Sequence, residues 1–104
     1  MLKEFNEVLL ESVNSTLTDL LGAECRDIIF SHLQTRFSVP KEQLPAHLEV
    51  LSQDLKDIFG QQETVAISRV VAKRLYAALQ IEFVNHVDLD LVRCVNEARA
   101  ARRE

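Results

Sequence analysis

Few side chains in this sequence are equipped for chemistry: three histidines, two cysteines, and arginines that fall where apolar residues belong. Placing each helical stretch at 100° per residue sorts side chains onto faces. His32 then falls between Ile28 and Leu33, inside an apolar arc, and Arg36 follows on the same arc one turn later. Arg74 falls between Val70 and Ala78 on another apolar arc, with Glu82 at its edge. If His32, Arg36 and Arg74 meet, they make a small polar pocket for an anion or a partner carboxylate. The plainer expectation is local satisfaction. A histidine on an apolar face ordinarily makes one hydrogen bond to a carbonyl or carboxylate, and an arginine there bends its head to water or pairs with an acid. A phosphotransfer histidine needs solvent, and the position of His32 on the apolar arc argues against that role.

Other catalytic constellations are missing from the sequence. It contains no GxGxxG or GxxxxGK[ST], so phosphate cradles of those types are absent. Neither HExxH nor CxxC occurs, and Cys25 and Cys94 have no second Cys or His at ligand spacing. Both cysteines are expected to act as small buried hydrophobes. No cofactor, metal or catalytic residue is expected. Asp54 and Asp57, like Asp88 and Asp90, look like ordinary helix-surface and cap carboxylates.

The elements that position these groups are helical. With two glycines and two prolines in 104 residues, the chain is poor in hairpin turns, and 47% hydrophobic content suffices for one core. An all-α, compact bundle of four to five helices in a single domain is expected. Phe5, Val8, Leu9, Val13, Leu17, Leu20 and Leu21 mark a first amphipathic helix over about 3–21, ended by Gly22. Cys25, Ile28, Ile29, Leu33 and Phe37 mark a second, which should stop near Ser38-Val39, ahead of Pro40. Phe30 projects off that stripe, as widened core or as an exposed contact. A connector through Leu44-Pro45 leads to a third helix starting near Pro45 or Ala46, with Leu48, Leu51, Leu55, Ile58 and Phe59 inside, ended by Gly60. The fourth helix starts within 61–64 and runs to about Val84. Having no internal breaker, it is expected to be central. Asp88 is the expected N-cap of a fifth helix from Leu89 to about Arg102, with Asp90 in its first turn and Arg99, Arg102 and Arg103 in its last. Residues 1–84 thus form the core domain, and 85–104 a helical extension packed on the core or on a partner.

Charge divides the chain. Residues 1–63 carry five basic and eleven acidic side chains, while residues 64–104 carry seven and five. A net charge of −4 makes nucleic acid an unlikely partner. No apolar run is long enough to span a bilayer, and the first residues are not a signal peptide, so a cytoplasmic location without membrane contact is expected. The strip Arg69, Lys73, Tyr76 and Gln80 on the outer face of the fourth helix, together with Arg99 and Arg102, is the candidate interaction surface, since Tyr and Arg favour interfaces.

Several short stretches resemble a known family. They are Phe30-Ser31-His32-Leu33, Arg36-Phe37-Ser38-Val39, Glu42, Leu44-Pro45, Asp57-Ile58-Phe59-Gly60 and Lys73-Arg74-Leu75-Tyr76. From Gly22 to about Val84 the chain is similar to the small archaeal Nitrosopumilus output domain family, departing from it at Gln61-Gln62-Glu63. The resemblance implies an all-helical, uncharacterised module, alone or attached to archaeal signalling proteins, with no catalytic residues to carry over. Together these expectations favour a non-enzymatic protein-interaction or signalling module, binding a protein partner or itself as a homodimer. The alternatives are a DNA-binding regulator, disfavoured by the long connector and the acidic balance, and a small-anion- or ligand-binding helical protein, or an enzyme, using His32, Arg36 and Arg74.

Overall fold

The computed structural model describes residues 4–85 and 89–102, without the side chain of Arg102. Among the described residues, five α-helices and one 3-10 segment follow one another: α1 (Phe5–Leu21), α2 (Ala23–Phe37), the 3-10 segment Lys41–Ala46, α3 (Leu48–Phe59), α4 (Gln61–Leu79) and α5 (Leu91–Arg102). No strand occurs among the described residues, so the chain is an all-α bundle. Its radius of gyration, 13.0 Å, is that of one folded domain of this length. Among the described residues no helix is long and apolar enough to cross a membrane.

Two single glycines build the sharpest corners. Gly22 (φ 92°, ψ 156°) joins α1 directly to α2, and Gly60 (φ 92°, ψ 173°) joins α3 directly to α4. Both combine a positive φ with an extended ψ, a region beyond the left-handed helix that only glycine enters without strain. Each closes one helix and opens the next with its own backbone. The Gly60 N–H donates to the Lys56 carbonyl, and its carbonyl accepts from the Thr64 N–H and the Thr64 hydroxyl. α4 therefore begins at Gln61.

α4 is the hub, packing on α1, α3 and α5, while α1 also covers α2 and the 3-10 segment. Leu9, Val13 and Leu17 of α1, Leu51 and Leu55 of α3, and Val71 and Leu75 of α4 fill the centre. Leu44 and Pro45, within the 3-10 segment, are its buried residues.

Several boundaries depart from the sequence expectation. α4 stops at Leu79, not Val84: Gln80 adopts a left-handed conformation (φ 60°, ψ 41°), and the Ile81 N–H closes the end by donating to the Tyr76 carbonyl. α3 starts at Leu48 behind His47, later than Pro45 or Ala46. α5 starts at Leu91, not Leu89. The Asp90 carboxylate accepts from the Val92 N–H and its carbonyl accepts from the Cys94 N–H, so Asp90 is the cap. The expected cap Asp88 lies outside the described residues, as do His86, Val87 and Arg103. The buried face of α2 is turned toward Phe30, which is in the core, leaving Ile28 66% exposed. Leu20, Ile58 and Ala78, also expected inside, are exposed.

Candidate functional site between α2 and α3

α2 and α3 are joined by a chain of polar contacts whose spacing follows from helix geometry. His32 and Arg36 are four residues apart on α2, and Asp54 and Asp57 three apart on α3, so each pair shares a helix face. The Asp54 side chain has no solvent exposure. It lies beside the apolar arc of Leu48, Leu51 and Leu55, and α2 covers that flank. His32 Nδ1 stands 2.7 Å from Asp54 Oδ1 and 2.9 Å from Oδ2. A carboxylate only accepts, so Nδ1 carries the proton in this contact. Arg36 bridges the two acids, with one terminal nitrogen 3.7 Å from Asp54 and 3.2 Å from Asp57. Gln53 Nε2 donates to the other Asp57 oxygen at 2.9 Å.

Nδ1 is committed to Asp54, and 39% of the His32 side chain remains exposed. Nε2 has no hydrogen-bond partner among the described residues. His32 lines an open depression of about 460 Å³ with Asp27, Ile28, Ser31 and Thr35. A neutral imidazole held this way presents a lone pair at its outer nitrogen. It can accept a hydrogen bond, take up a proton or act as a nucleophile.

The expected three-residue pocket is thus only partly assembled. His32 and Arg36 converge, on an acid taken from sequence to be an ordinary surface carboxylate. Arg74 is elsewhere, on the α1–α4 seam, pairing with Asp19 at 2.8 Å and donating to the Ser15 hydroxyl at 3.1 Å. The sequence did hold the missing signal: the 32/36 and 54/57 spacings offer two complementary pairs, once α2 and α3 are known to be neighbours.

The expected interaction strip is dispersed as well. Tyr76 is buried at the α4–α5 seam, donating its hydroxyl to the Cys94 carbonyl at 2.7 Å and meeting Phe83 edge-to-face at 5.5 Å. It faces inward because α5 lies over that side of α4. Burial, then the nearby Cys94 and Glu97, pushes the Tyr76 phenol up from its ordinary value. Burial and then Glu97 and Asp90 likewise raise the Cys94 thiol, against a smaller opposing effect of Arg93. Arg69 is half-buried and donates to Asn85 at 2.7 Å. Arg99 lies over the Phe5 ring, 4.4 Å from its centroid, and donates to Asn6. Lys73 stays exposed, and the Arg102 side chain is outside the described residues. Both cysteines are free thiols, Cys94 buried and Cys25 half-buried. Among the described residues no cluster of three or more His, Cys, Asp or Glu could hold a metal ion. The chain matches no family model, no curated protein and no solved structure.

Proposed function

We propose that this protein is a non-enzymatic interaction module for signalling in the cytoplasm, and that it docks a protein partner on the outward face of α2. One observation carries the reading: Ile28 is 66% exposed at mid-helix, beside the depression that it lines with Asp27, Ser31, His32 and Thr35. The core side of α2 is complete without it, through Ile29, Phe30 and Leu33. The partner is a surface with an apolar side chain flanked by Lys or Arg. Glu24 and Asp27 are exposed on α2, and residues 1–63 are net acidic, so a cationic surface is drawn to this side.

The test is an amide-resonance titration with a short Leu/Lys amphipathic helical peptide and its Leu/Glu counterpart. The Leu/Lys peptide should shift resonances over residues 27–35, less so at high salt and not in Ile28→Asp, while the Leu/Glu peptide should be silent. Equal effects of both peptides, or shifts centred away from α2, would overturn the reading. Concentration-dependent shifts on α2 without any peptide would make a second copy the occupant.

A further inference from the structure

We infer that His32 Nε2 is a phosphoryl-acceptor site, taking a phosphoryl group from a small or protein-borne donor of the phosphoramidate or acyl-phosphate class. The objection raised by the sequence was burial, and the structure removes it, since the side chain is 39% exposed at an open depression. Three features of the cluster then serve this chemistry. Asp54 fixes the tautomer: with Nδ1 donating its proton to Asp54 Oδ2 at 2.9 Å, the lone pair lies on Nε2. Asp54 also has no solvent exposure, so water does not weaken its attraction for positive charge that develops on the ring. Arg36, one turn along the same face, spends one terminal nitrogen on Asp54 and Asp57, while its side chain remains 49% exposed. Its other N–H groups can meet phosphoryl oxygens.

The step balances without a further reactant. The Nε2 lone pair attacks the phosphorus of phosphoramidate in its N-protonated form, ⁺H₃N–PO₃²⁻; the new N–P bond forms, the old P–N bond breaks with its electron pair going to the leaving nitrogen, and ammonia departs with the three protons it already carries. The Nδ1 proton stays in place, so the ring gains one positive charge opposite the Asp54 carboxylate. An acyl phosphate reacts in the same sense, with a carboxylate as the leaving group. The open depression suits this use better than hydrolysis, because the donor brings its own phosphate-binding groups and the acceptor need only present one nitrogen. Nothing in the step requires the docking proposed for Ile28, so either can fail alone.

His47 is the internal control. Its side chain is 44% exposed, slightly more than that of His32, yet its Nδ1 stands 3.9 Å from the exposed Glu49 carboxylate and meets no buried acid among the described residues. The folded protein is treated with phosphoramidate, and each site is followed by peptide mapping under alkaline conditions, with phosphorus–nitrogen correlation spectra to assign the ring nitrogen. His32 is expected to gain a phosphoryl group on Nε2 about tenfold faster than His47, and Asp54→Asn to abolish that advantage. A rate at His32 no greater than at His47, or reaction at Nδ1, overturns the inference, as does an Asp54→Asn protein that folds and keeps the advantage. The comparison within the wild-type protein decides the matter even if Asp54→Asn does not fold.

Discussion

The α2–α3 and α1–α4 seams each carry an Arg–Asp contact, and distance ranks them in the wrong order. Arg74 and Asp19 approach to 2.8 Å, but their side chains are 37% and 57% exposed. Arg36 stands 3.7 Å from Asp54, with His32 at 2.7 Å, and Asp54 has no exposure at all. An exposed pair exchanges solvation for attraction with little net gain, whereas a buried carboxylate stripped of its partner keeps the whole desolvation penalty. The burial of the weaker-looking contact therefore decides which seam is sensitive. His32→Ala is expected to destabilise the fold by about 3 kcal/mol, or somewhat less because Arg36 remains. Denaturant unfolding should show a lower midpoint at unchanged slope. The double variant His32→Leu/Asp54→Leu should recover most of the loss, because it removes the buried charge together with its partner. A loss below about 1 kcal/mol for His32→Ala would erase the distinction between the seams.

The α4–α5 seam sharpens the contrast with a buried tie that is neutral. Tyr76 and Cys94 both have pKa values raised mainly by burial, so the folded state keeps their protons more tightly than the unfolded chain does. Their contribution is complete below the unfolded values and is lost as pH rises through the folded ones. Thermal unfolding should thus be flat near pH 8 and fall in midpoint above about pH 9. Tyr76→Phe should cost about 1 kcal/mol at neutral pH, through the bond to the Cys94 carbonyl, and should make the alkaline fall shallower. An unchanged alkaline slope in that variant would leave Tyr76 with no part in it.

Much of this architecture is legible in the sequence, and its failures have physical causes. The stripe of α1, both glycine corners and the central place of α4 follow from spacing and from residues whose backbone freedom is visible in their type. The end of α4 does not, because Gln80 takes a left-handed conformation that sequence patterns assign to glycine. Gln80→Gly should accordingly stabilise the protein by about 1 kcal/mol, measurable as a raised denaturation midpoint. Single-helix periodicity misjudged Asp54 and Tyr76 for a common reason. Each lies at the flank of its own apolar arc, and its burial is set by a neighbouring helix that the arc does not identify. Ile28 erred in the opposite direction, since α2 turns Phe30 inward in its place. Asp90, placed in the first turn, became the cap because the helix starts at Leu91.

The α1–α4 seam yields the smallest expected effect and the finest test of the comparison. Asp19→Ala removes an acid that is more than half exposed, from a guanidinium that also holds the Ser15 hydroxyl at 3.1 Å. Arg74 keeps that hydrogen bond and turns its freed nitrogen to water, so the loss should be about 0.5 kcal/mol. Salt separates this seam from the other. At about 1 M ionic strength the screening length is near 3 Å, so the difference between Asp19→Ala and wild type should close. The deficit of His32→Ala should persist under the same conditions, because ions do not reach a carboxylate with no solvent exposure. Deficits that shrink in parallel as salt is added would mean that Asp54 is as accessible to counterions as Asp19, and the division between the two seams would rest on nothing but geometry.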